Sequence, residues 1–149
     1  MQFDHLGVIV RSIAKSRPRL LEILGICECS QEFEDRLNGV RLQFARDRSG
    51  MCYELLEPLG EDSPVYAALR KRSAILNHVA YRVGDLAAAG VKLCGEGCAP
   101  AGPPRSAIAY RGRRIQFFVA PENFMIELIE APDHEHAFVP APPMNPPAG

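Results

Sequence analysis

Apolar and polar positions alternate along residues 3–10, which predicts a β-strand at the start of the fold. Apolar residues then recur at helical spacing and predict a helix that ends at about Leu24. Ser12 is a typical helix N-cap, and Gly25 is a typical helix stop. Pro18 fits the interior of a helix poorly, so we expect the helix either to kink there or to begin later.

The rest of the pattern predicts mostly strands. Asn38-Gly39 is a typical hairpin turn, and Ser63-Pro64 is a typical helix start in the middle of the chain. Asp85 is a typical N-cap for a second long helix, and the prolines that follow this helix restrict any strand there to a sheet edge. Residues 26–36 predict a second strand and a charged loop. The predicted strands that follow cover residues 40–45, 51–57, 76–83, 108–110, 114–119 and 124–129.

A single offset relates the two halves of the chain. His5 and His78 occupy the same point of two similar strands and are 73 positions apart. A fixed period that several blocks share is the signature of an internal repeat, so we predict two βαβββ modules. The other blocks that repeat at this offset are 41–44 with 114–117 and 53–57 with 126–130.

The C-terminal part of the chain differs from both modules. From Ala131 onward it is rich in proline and poor in apolar residues, so we expect a disordered or surface-draped tail. His134 and His136 lie at the start of this tail, and we interpret them as incidental rather than as metal ligands. The predicted segments are a first module at 1–57, a connecting helix and loop at 58–75, a second module at 76–131 and the tail at 132–149.

The composition excludes several classes of protein. A chain of 149 residues that is 47% hydrophobic and 23% charged is typical of soluble globular proteins. Its formal net charge of −1 gives no general attraction to nucleic acid or to anionic membranes, so neither is an expected partner. No apolar run approaches the roughly 20 residues that a membrane span needs, and the N-terminus does not resemble a secretory signal. We therefore expect a cytoplasmic protein.

The five cysteines do not indicate a disulfide framework, because their number is odd and their spacing is unpaired. Cys27-x-Cys29 and Cys94-x-x-x-Cys98 lack the two-residue gap that is typical of zinc knuckles. Reduced thiols are the expected state of all five.

Four ionisable side chains occupy positions where the pattern predicts burial. Each has apolar neighbours on its own strand face, and a buried carboxylate is costly unless it is paired, protonated or bound to a metal. The two histidines and the two glutamates share the offset of 73, so a pseudo-twofold arrangement of the modules brings all four together. Two imidazoles and two carboxylates suit a divalent ion such as Zn, Ni, Co, Mn or Fe(II) and leave open positions for catalysis. The predicted metal ligands are His5, Glu54, His78 and Glu127.

Two other polar pairs repeat at the same offset. Glu57 and Glu130 fall on the opposite faces of their strands, so we expect both to be solvated. For Gln43 and Gln116 a role beside the site is open, but we favour a plain structural role.

These motifs resemble the vicinal oxygen chelate (glyoxalase/bleomycin-resistance/dioxygenase) superfamily over residues 2 to about 132. Residues 3–10 are similar to its first strand, and residues 125–130 are similar to its closing strand. Residues 53–65 and 76–83 are most similar to the methylmalonyl-CoA epimerase branch.

The resemblance implies an α+β fold in which two paired βαβββ modules form a curved, mostly antiparallel sheet around a central metal cleft. His5, Glu54, His78 and Glu127 match the metal ligands of the family by position. In glyoxalase I and the epimerases the metal stabilises an enediolate or enolate, and a glutamate of the ligand region serves as acid and base. Glu127 is the matching position here, and the resemblance also implies a homodimer.

This sequence departs from the epimerase branch at one catalytic position. Epimerases usually carry a further glutamate just before the second Gly-Val hairpin, and Leu37 stands at that point here. Leucine cannot move a proton, and only a local shift would let Glu34 or Asp35 replace it. The departure argues against epimerisation itself and leaves isomerase or lyase chemistry with one base open.

The leading hypothesis is a metal-dependent isomerase or lyase that stabilises an enolate of a small carbonyl compound, with a CoA thioester as one candidate substrate. The alternatives are a binding protein of the bleomycin-resistance type and an extradiol-type dioxygenase. Retention of the ligand set argues against the first, and the extra carboxylate of Glu54 argues against the second.

Residues that bind substrate are not identifiable from the sequence. Four arginines follow the second helix and either face an anionic substrate or face solvent, and we favour solvent. They are Arg105, Arg111, Arg113 and Arg114.

Overall fold

The computed structural model describes residues 1–71 and 76–142. The helices are α1 (Ile13–Leu24), α2 (Tyr66–Lys71) and α3 (Leu86–Gly95), and a short 3-10 helix covers Ile108–Tyr110. The strands are β1 (Gln2–Ile9), β2 (Ile26–Asp35), β3 (Val40–Asp47), β4 (Cys52–Pro58), β5 (Leu76–Arg82), β6 (Ala99–Pro100), β7 (Arg105–Ala107), β8 (Arg113–Val119), β9 (Met125–Ile129) and β10 (Val139–Pro140).

The strands form one mixed sheet in the order β10-β2-β3-β4-β1-β5-β9-β8-β6, and β7 also pairs with β8. The central strands β1 and β5 are antiparallel to each other, and each has a parallel neighbour, β4 or β9. All the other pairs are antiparallel, so the prediction of a mostly antiparallel sheet is confirmed. The division into two modules, with its boundaries, stays a prediction.

Helix α1 begins where its N-cap predicts. The Ser12 hydroxyl accepts a hydrogen bond from the amide of Lys15, and Gly25 ends the helix with a positive φ of 65°. Pro18 lies inside the helix, so the expectation of a later start is wrong. The buried side chains of Ile13 and Leu21 fix α1 on the sheet, and this packing outweighs the hydrogen bond that proline lacks.

Two local predictions are wrong. Helix α2 begins at Tyr66 rather than directly after Ser63-Pro64, because the carbonyl of Ser63 first accepts a turn hydrogen bond from the amide of Tyr66. Residues 108–110 form a 3-10 turn rather than a strand. The amide of Ile108 donates to the Asp35 carboxylate instead of to a neighbouring strand, and this contact allows the chain to turn.

Glu57 and Glu130 bind helix N-termini rather than facing open solvent. Glu57 Oε2 accepts a hydrogen bond of 2.7 Å from the amide of Ile13, the first residue of α1. Glu130 Oε1 accepts one of 3.1 Å from the amide of Leu86, the first residue of α3. The expectation that both are solvated is therefore wrong. A carboxylate is favourable at a helix N-terminus, where the backbone amides lack partners.

The described part of the tail, residues 132–142, packs against the sheet, and we call it the C-terminal strap. Strand β10 pairs with the edge strand β2, a position that tolerates Pro140. The guanidinium of Arg46 lies 4.3 Å from the centroid of the Phe138 ring. Of the two expected alternatives, disorder or a tail draped over the surface, this part agrees with the second, because the strap finds partners far away in sequence. Residues 143–149 lie outside the described residues.

The largest group of buried apolar residues lies between the sheet and the segment around Tyr110. Phe44 and Ile9 are at its centre and are essentially inaccessible to solvent. In the described ranges, none of the helices is both long and apolar enough to cross a membrane.

Candidate metal centre

Four adjacent strands present the four predicted ligands on one face of the sheet. His5 lies on β1, His78 on β5, Glu54 on β4 and Glu127 on β9. The register places Gly7 beside both Glu54 and His78, and it places Ala80 beside both His5 and Glu127. Across the sheet, Gly7 therefore separates Glu54 from His78, and Ala80 separates His5 from Glu127. Gly7 and Ala80 are the smallest residues of the two central strands, which leaves room for the four larger side chains to converge.

The donor atoms of the four side chains meet at one point. His5 Nε2 lies 3.0 Å from His78 Nε2, 3.2 Å from Glu54 Oε2 and 3.4 Å from Glu127 Oε2. His78 Nε2 lies 3.4 Å from Glu54 Oε2 and 3.1 Å from Glu127 Oε2. All four residues are buried, and His5 is fully inaccessible.

Hydrogen bonding alone does not satisfy this cluster. Glu127 Oε2 is buried, and within the described residues it has no hydrogen-bond partner, although His78 Nε2 lies 3.1 Å away. A neutral imidazole carries one N–H, so the two Nε2 atoms that face each other cannot both donate to the carboxylates when the Nδ1 atoms are protonated.

The donor set fits a divalent cation. Ligands that lie about 2.1 Å from a common ion are separated by roughly 3.0–3.4 Å, which is the spacing observed between these atoms. Two imidazole nitrogens and two carboxylate oxygens suit borderline divalent metals. The residues present therefore could hold such an ion, as the sequence predicts.

The electrostatics of the cluster favour positive charge. Burial disfavours charged imidazole, but the charge of Glu54 and the hydrogen bond to Asp4 outweigh it and raise the pKa of His5 well above its ordinary value. Burial also opposes ionisation of Glu54, but the charge of His5 outweighs it and lowers the pKa of Glu54 to about 2. The Glu54 carboxylate is therefore anionic at neutral pH and attracts either a proton or a metal ion.

The outward ring nitrogens of both histidines have carboxylate or amide partners. His5 Nδ1 lies 2.7 Å from Asp4 Oδ1, and His78 Nδ1 lies 3.0 Å from Asn77 Oδ1. These oxygens accept a hydrogen bond from the N–H at Nδ1, which leaves the lone pair of Nε2 directed at the cluster. Asp4 and Asn77 are themselves 73 positions apart, so the sequence repeat extends to the partners of the ligands.

Gly7 lies directly against the His78 ring. A β-carbon at this position would stand 2.1 Å from His78 Cε1 and 2.6 Å from His78 Nε2. Only glycine leaves room for the ring here, so Gly7 belongs to the site although it has no side chain.

A small apolar cleft of about 80 Å³ leads to the cluster. It continues into an outer groove that Arg105 helps to line. The inner walls consist mainly of aliphatic and aromatic side chains, with Glu54, His78 and Glu127 at the end of the cleft. The shape is that of a site for a small molecule with an apolar reacting end.

Epimerases usually carry a further catalytic glutamate at the position of Leu37, and the acidic residues near Leu37 do not replace it here. Leu37 is exposed, and Glu34 is engaged with Arg36 and Arg41 at the surface. Asp35 is buried at the wall of the cleft, but its carboxylate already accepts hydrogen bonds from the backbone amide and side-chain amide of Asn38 and from the backbone amide of Ile108. Asp35 therefore holds the loops together.

The repeated glutamines and the four arginines that the sequence singled out lie outside the cluster of four converging side chains. Gln43 and Gln116 donate to backbone carbonyls of Ser30 and Gly102, which agrees with the structural interpretation. Arg114 forms an ion pair with Glu130 at the helix α3 N-terminus. Of the remaining three arginines, Arg105 lines the outer groove, and the exposed Arg111 and Arg113 lie beside the strap.

Sequence reasoning missed Asp4, Gly7, Tyr110 and His136 as parts of the site. The offset of 73 between Asp4 and Asn77 was a signal for the first, and a glycine inside an alternating strand was a signal for the second. Tyr110 donates a hydrogen bond of 2.7 Å to Asp4 from an element that the sequence predicted as a strand. His136 contacts Asp4 from the tail, where local sequence carries no signal for the contact.

Comparison with known proteins gives one family and several similar folds. The chain matches the Glyoxalase/Bleomycin resistance protein/Dioxygenase superfamily over residues 4–117. It is similar to the uncharacterized protein YqjC of Bacillus subtilis (strain 168), with 34% identity over 82 residues. That match covers 54% of this chain and 56% of the relative, so the chain spans about half the length of the curated relative that it matches.

Solved structures with a similar fold include a hypothetical protein from Bacillus halodurans C-125, with a TM-score of 0.75, 24% identity and coverage of 91% of this chain and 96% of that chain. Methylmalonyl-CoA epimerase from Mycobacterium tuberculosis has a TM-score of 0.70 and 26% identity, with 86% of each chain covered. A variant of the Streptomyces coelicolor methylmalonyl-CoA epimerase, in complex with 2-nitronate-propionyl-CoA, has a TM-score of 0.70 and 25% identity, with 87% of this chain and 93% of that chain covered.

Proposed function

Because the chain belongs to the Glyoxalase/Bleomycin resistance protein/Dioxygenase superfamily, we propose that it is a divalent-metal-dependent isomerase or lyase. Its reaction forms an enolate or enediolate of a small carbonyl compound, with acyl thioesters as the preferred class. The observation that carries this proposal is the convergence of His5, Glu54, His78 and Glu127 at the end of an apolar cleft.

Glu127 is the residue that we assign to proton transfer. It lines the cleft, and its buried Oε2 has no hydrogen-bond partner among the described residues. A divalent ion held by the two histidines and the two glutamates would supply Lewis-acid stabilisation of the negative charge that develops on a substrate carbonyl. Glu127 then takes the proton from the carbon next to that carbonyl and returns it to the product.

Other side chains support this step by position. Asp4 and Asn77 orient the two ligand imidazoles, as described above. The apolar walls of the cleft exclude water, which strengthens the electrostatic interactions inside. Asp35 is committed to three hydrogen bonds, so the chemistry uses one base rather than two.

Two observations support an acyl thioester as the substrate. The inner cleft is narrow and apolar and suits a short acyl chain, while the outer groove carries Arg105 and suits a larger anionic portion. Similar structures include methylmalonyl-CoA epimerases, one of which binds 2-nitronate-propionyl-CoA. The lack of a second base predicts exchange of the α-proton without rapid inversion at the α-carbon.

The test is α-proton exchange measured by NMR in deuterated water, with methylmalonyl-CoA as the probe thioester. The protein is stripped of metal and then reconstituted with Zn, Ni, Co, Mn or Fe(II). We expect exchange only after reconstitution, and a second addition of chelator should abolish it. Exchange that chelation leaves unchanged would contradict the proposal, and metal-dependent oxygen consumption with a catechol would favour a dioxygenase instead.

A further inference from the structure

We propose that the C-terminal strap positions the metal ligand His5 through Asp4, and that His136 is the positioning residue. This inference rests on the metal site of the proposed function but not on the reaction assigned to it. It gives a role to a segment that the sequence predicted to be either disordered or draped over the surface.

The carboxylate of Asp4 connects the strap to His5. Three groups lie within hydrogen-bond distance of Asp4 Oδ1: His5 Nδ1 at 2.7 Å, the Tyr110 hydroxyl at 2.7 Å and His136 Nε2 at 2.9 Å. Arg82 Nε lies 3.0 Å from the other oxygen, Oδ2. Asp4 is buried, so these groups rather than water determine how it is oriented.

Contacts other than the one with Asp4 hold the His136 ring in place. The ring lies against Phe44, with centroids 3.8 Å apart and planes tilted by 31°. The Arg82 guanidinium donates to the carbonyl of His134, which fixes the strap just before His136. Beyond it, β10 pairs with β2. The strap therefore presents His136 to Asp4 from a fixed backbone.

The protons of this network follow one consistent assignment. When Nε2 of His5 is directed at the metal centre, its Nδ1 carries the proton and donates to Asp4. His136 then donates through Nε2, and its Nδ1 accepts from Nε2 of His134, which lies 3.3 Å away. Each member of the row His134, His136, Asp4 and His5 thus has the hydrogen-bonding role that its neighbour requires.

A second metal site on the same atoms is the competing interpretation. Asp4, His5 and His136 place one ligand atom each within 4.8 Å of one another. Coordination there would need the lone pair of His5 Nδ1, which carries the proton when Nε2 faces the other ligands. With one metal site, on the Nε2 side of His5, every proton of the network has an assigned place. We therefore favour a positioning role for His136 over a second metal site.

The test compares His136→Leu with His136→Gln in the full-length protein and uses Co²⁺ as the probe metal. We expect His136→Leu to weaken Co²⁺ binding by roughly 3- to 10-fold, since loss of a direct outer partner of a metal ligand costs about 10- to 100-fold and His136 is one residue further away. The visible spectrum of the bound Co²⁺ should change as well. The glutamine amide can donate from nearly the same place as Nε2, so His136→Gln should restore most of both properties.

Two controls separate positioning from general damage to the strap. Val139→Ala removes an exposed strap side chain and should leave Co²⁺ affinity and spectrum unchanged. In an Asp4→Asn background, His136→Leu should have little additional effect, because its action passes through Asp4. Equal affinities for wild type and His136→Leu, equal losses for the leucine and glutamine variants, or no Co²⁺ binding by the wild type would each overturn the inference. Co²⁺ binding without α-proton exchange would contradict the proposed function and leave this inference standing.

Discussion

At the residue scale, the proposed metal centre depends on the absence of a side chain at Gly7, which lies directly against the His78 ring. The added β-carbon of Gly7→Ala would overlap the His78 ring, which can only move away from the other ligands. We expect this variant to fold and to lose metal affinity by at least about 10-fold, measured by chelator competition.

Gly84→Ala is the matched control for Gly7→Ala. A β-carbon at Gly84 meets nothing within 4 Å, and φ at Gly84 is not in the left-handed range. This variant should bind metal like the wild type. Equal affinity for the two variants would show that the ring of His78 tolerates the methyl group at position 7 and that the close approach has no role.

Glu127 and Glu54 provide a second prediction at the residue scale. Glu127→Gln keeps an oxygen that can bind a metal but cannot accept a proton from carbon, so kcat for α-proton exchange should fall by about 100-fold or more. Glu54→Gln removes a ligand charge without removing the assigned base, and its main effect should be on metal affinity. Metal content, exchange rate and circular dichroism of both variants check this. A larger fall in kcat at saturating metal for Glu54→Gln than for Glu127→Gln would exchange their assigned roles.

At the scale of elements, Glu57 and Glu130 fix the first turns of α1 and α3 to strands of the sheet. Glu130→Ala leaves the amide of Leu86 without its acceptor and should lower the free energy of unfolding by about 1 kcal/mol, measured by urea denaturation. The amide of Leu86 and the Arg114 guanidinium both lower the pKa of Glu130. A depressed pKa stabilises the fold above the ordinary pKa, and this stabilisation is lost as the pH falls toward the lowered value.

The difference in stability between wild type and Glu130→Ala should therefore be largest near neutral pH and shrink below about pH 4. Glu122→Ala, in an exposed turn, is the control and should have no measurable effect. A difference that does not depend on pH would show that the charge of Glu130 is not the stabilising feature.

Local sequence predicted most of these elements because the causes were local. Alternation identified the strands, and the hydroxyl of Ser12 and the carboxylate of Asp85 marked the helix starts. The convergence of the four candidate ligands was predicted because a repeat places equivalent residues on adjacent strands. The caps at Glu57 and Glu130 were missed, since strand alternation gives the face of a side chain but not the helix end that lies above that face.

The C-terminal strap shows why other contacts of the fold and of the site could not be predicted from the sequence. His136 contacts Asp4 across 132 positions of sequence, and strand β10 joins the free edge of β2. Composition alone indicated that residues after Ala131 have little to bury. The surface that receives them exists only after the sheet has formed, so its complementarity to the strap is a property of the folded chain.

At the scale of the whole molecule, the proposed metal centre lies where the central strands of the sheet meet. The antiparallel pair β1 and β5 carries the two histidines, and the strands on either side carry the two glutamates. Any separation of β1 from β5 therefore separates the ligands. We therefore expect metal binding to be coupled to the integrity of the sheet, so that stability reports on occupancy of the proposed site.

This coupling predicts a rise in Tm on metal binding. An ion that binds only the folded chain stabilises it by about 2.7 kcal/mol at a free concentration about 100 times Kd. For a chain of this size that corresponds to a rise in Tm of roughly 8 °C, which differential scanning calorimetry can measure. His5→Ala removes one ligand from the centre of the sheet, and metal should raise its Tm by much less. An equal rise for wild type and His5→Ala would place the ion elsewhere on the protein and would remove the physical basis for assigning these four side chains to a metal centre.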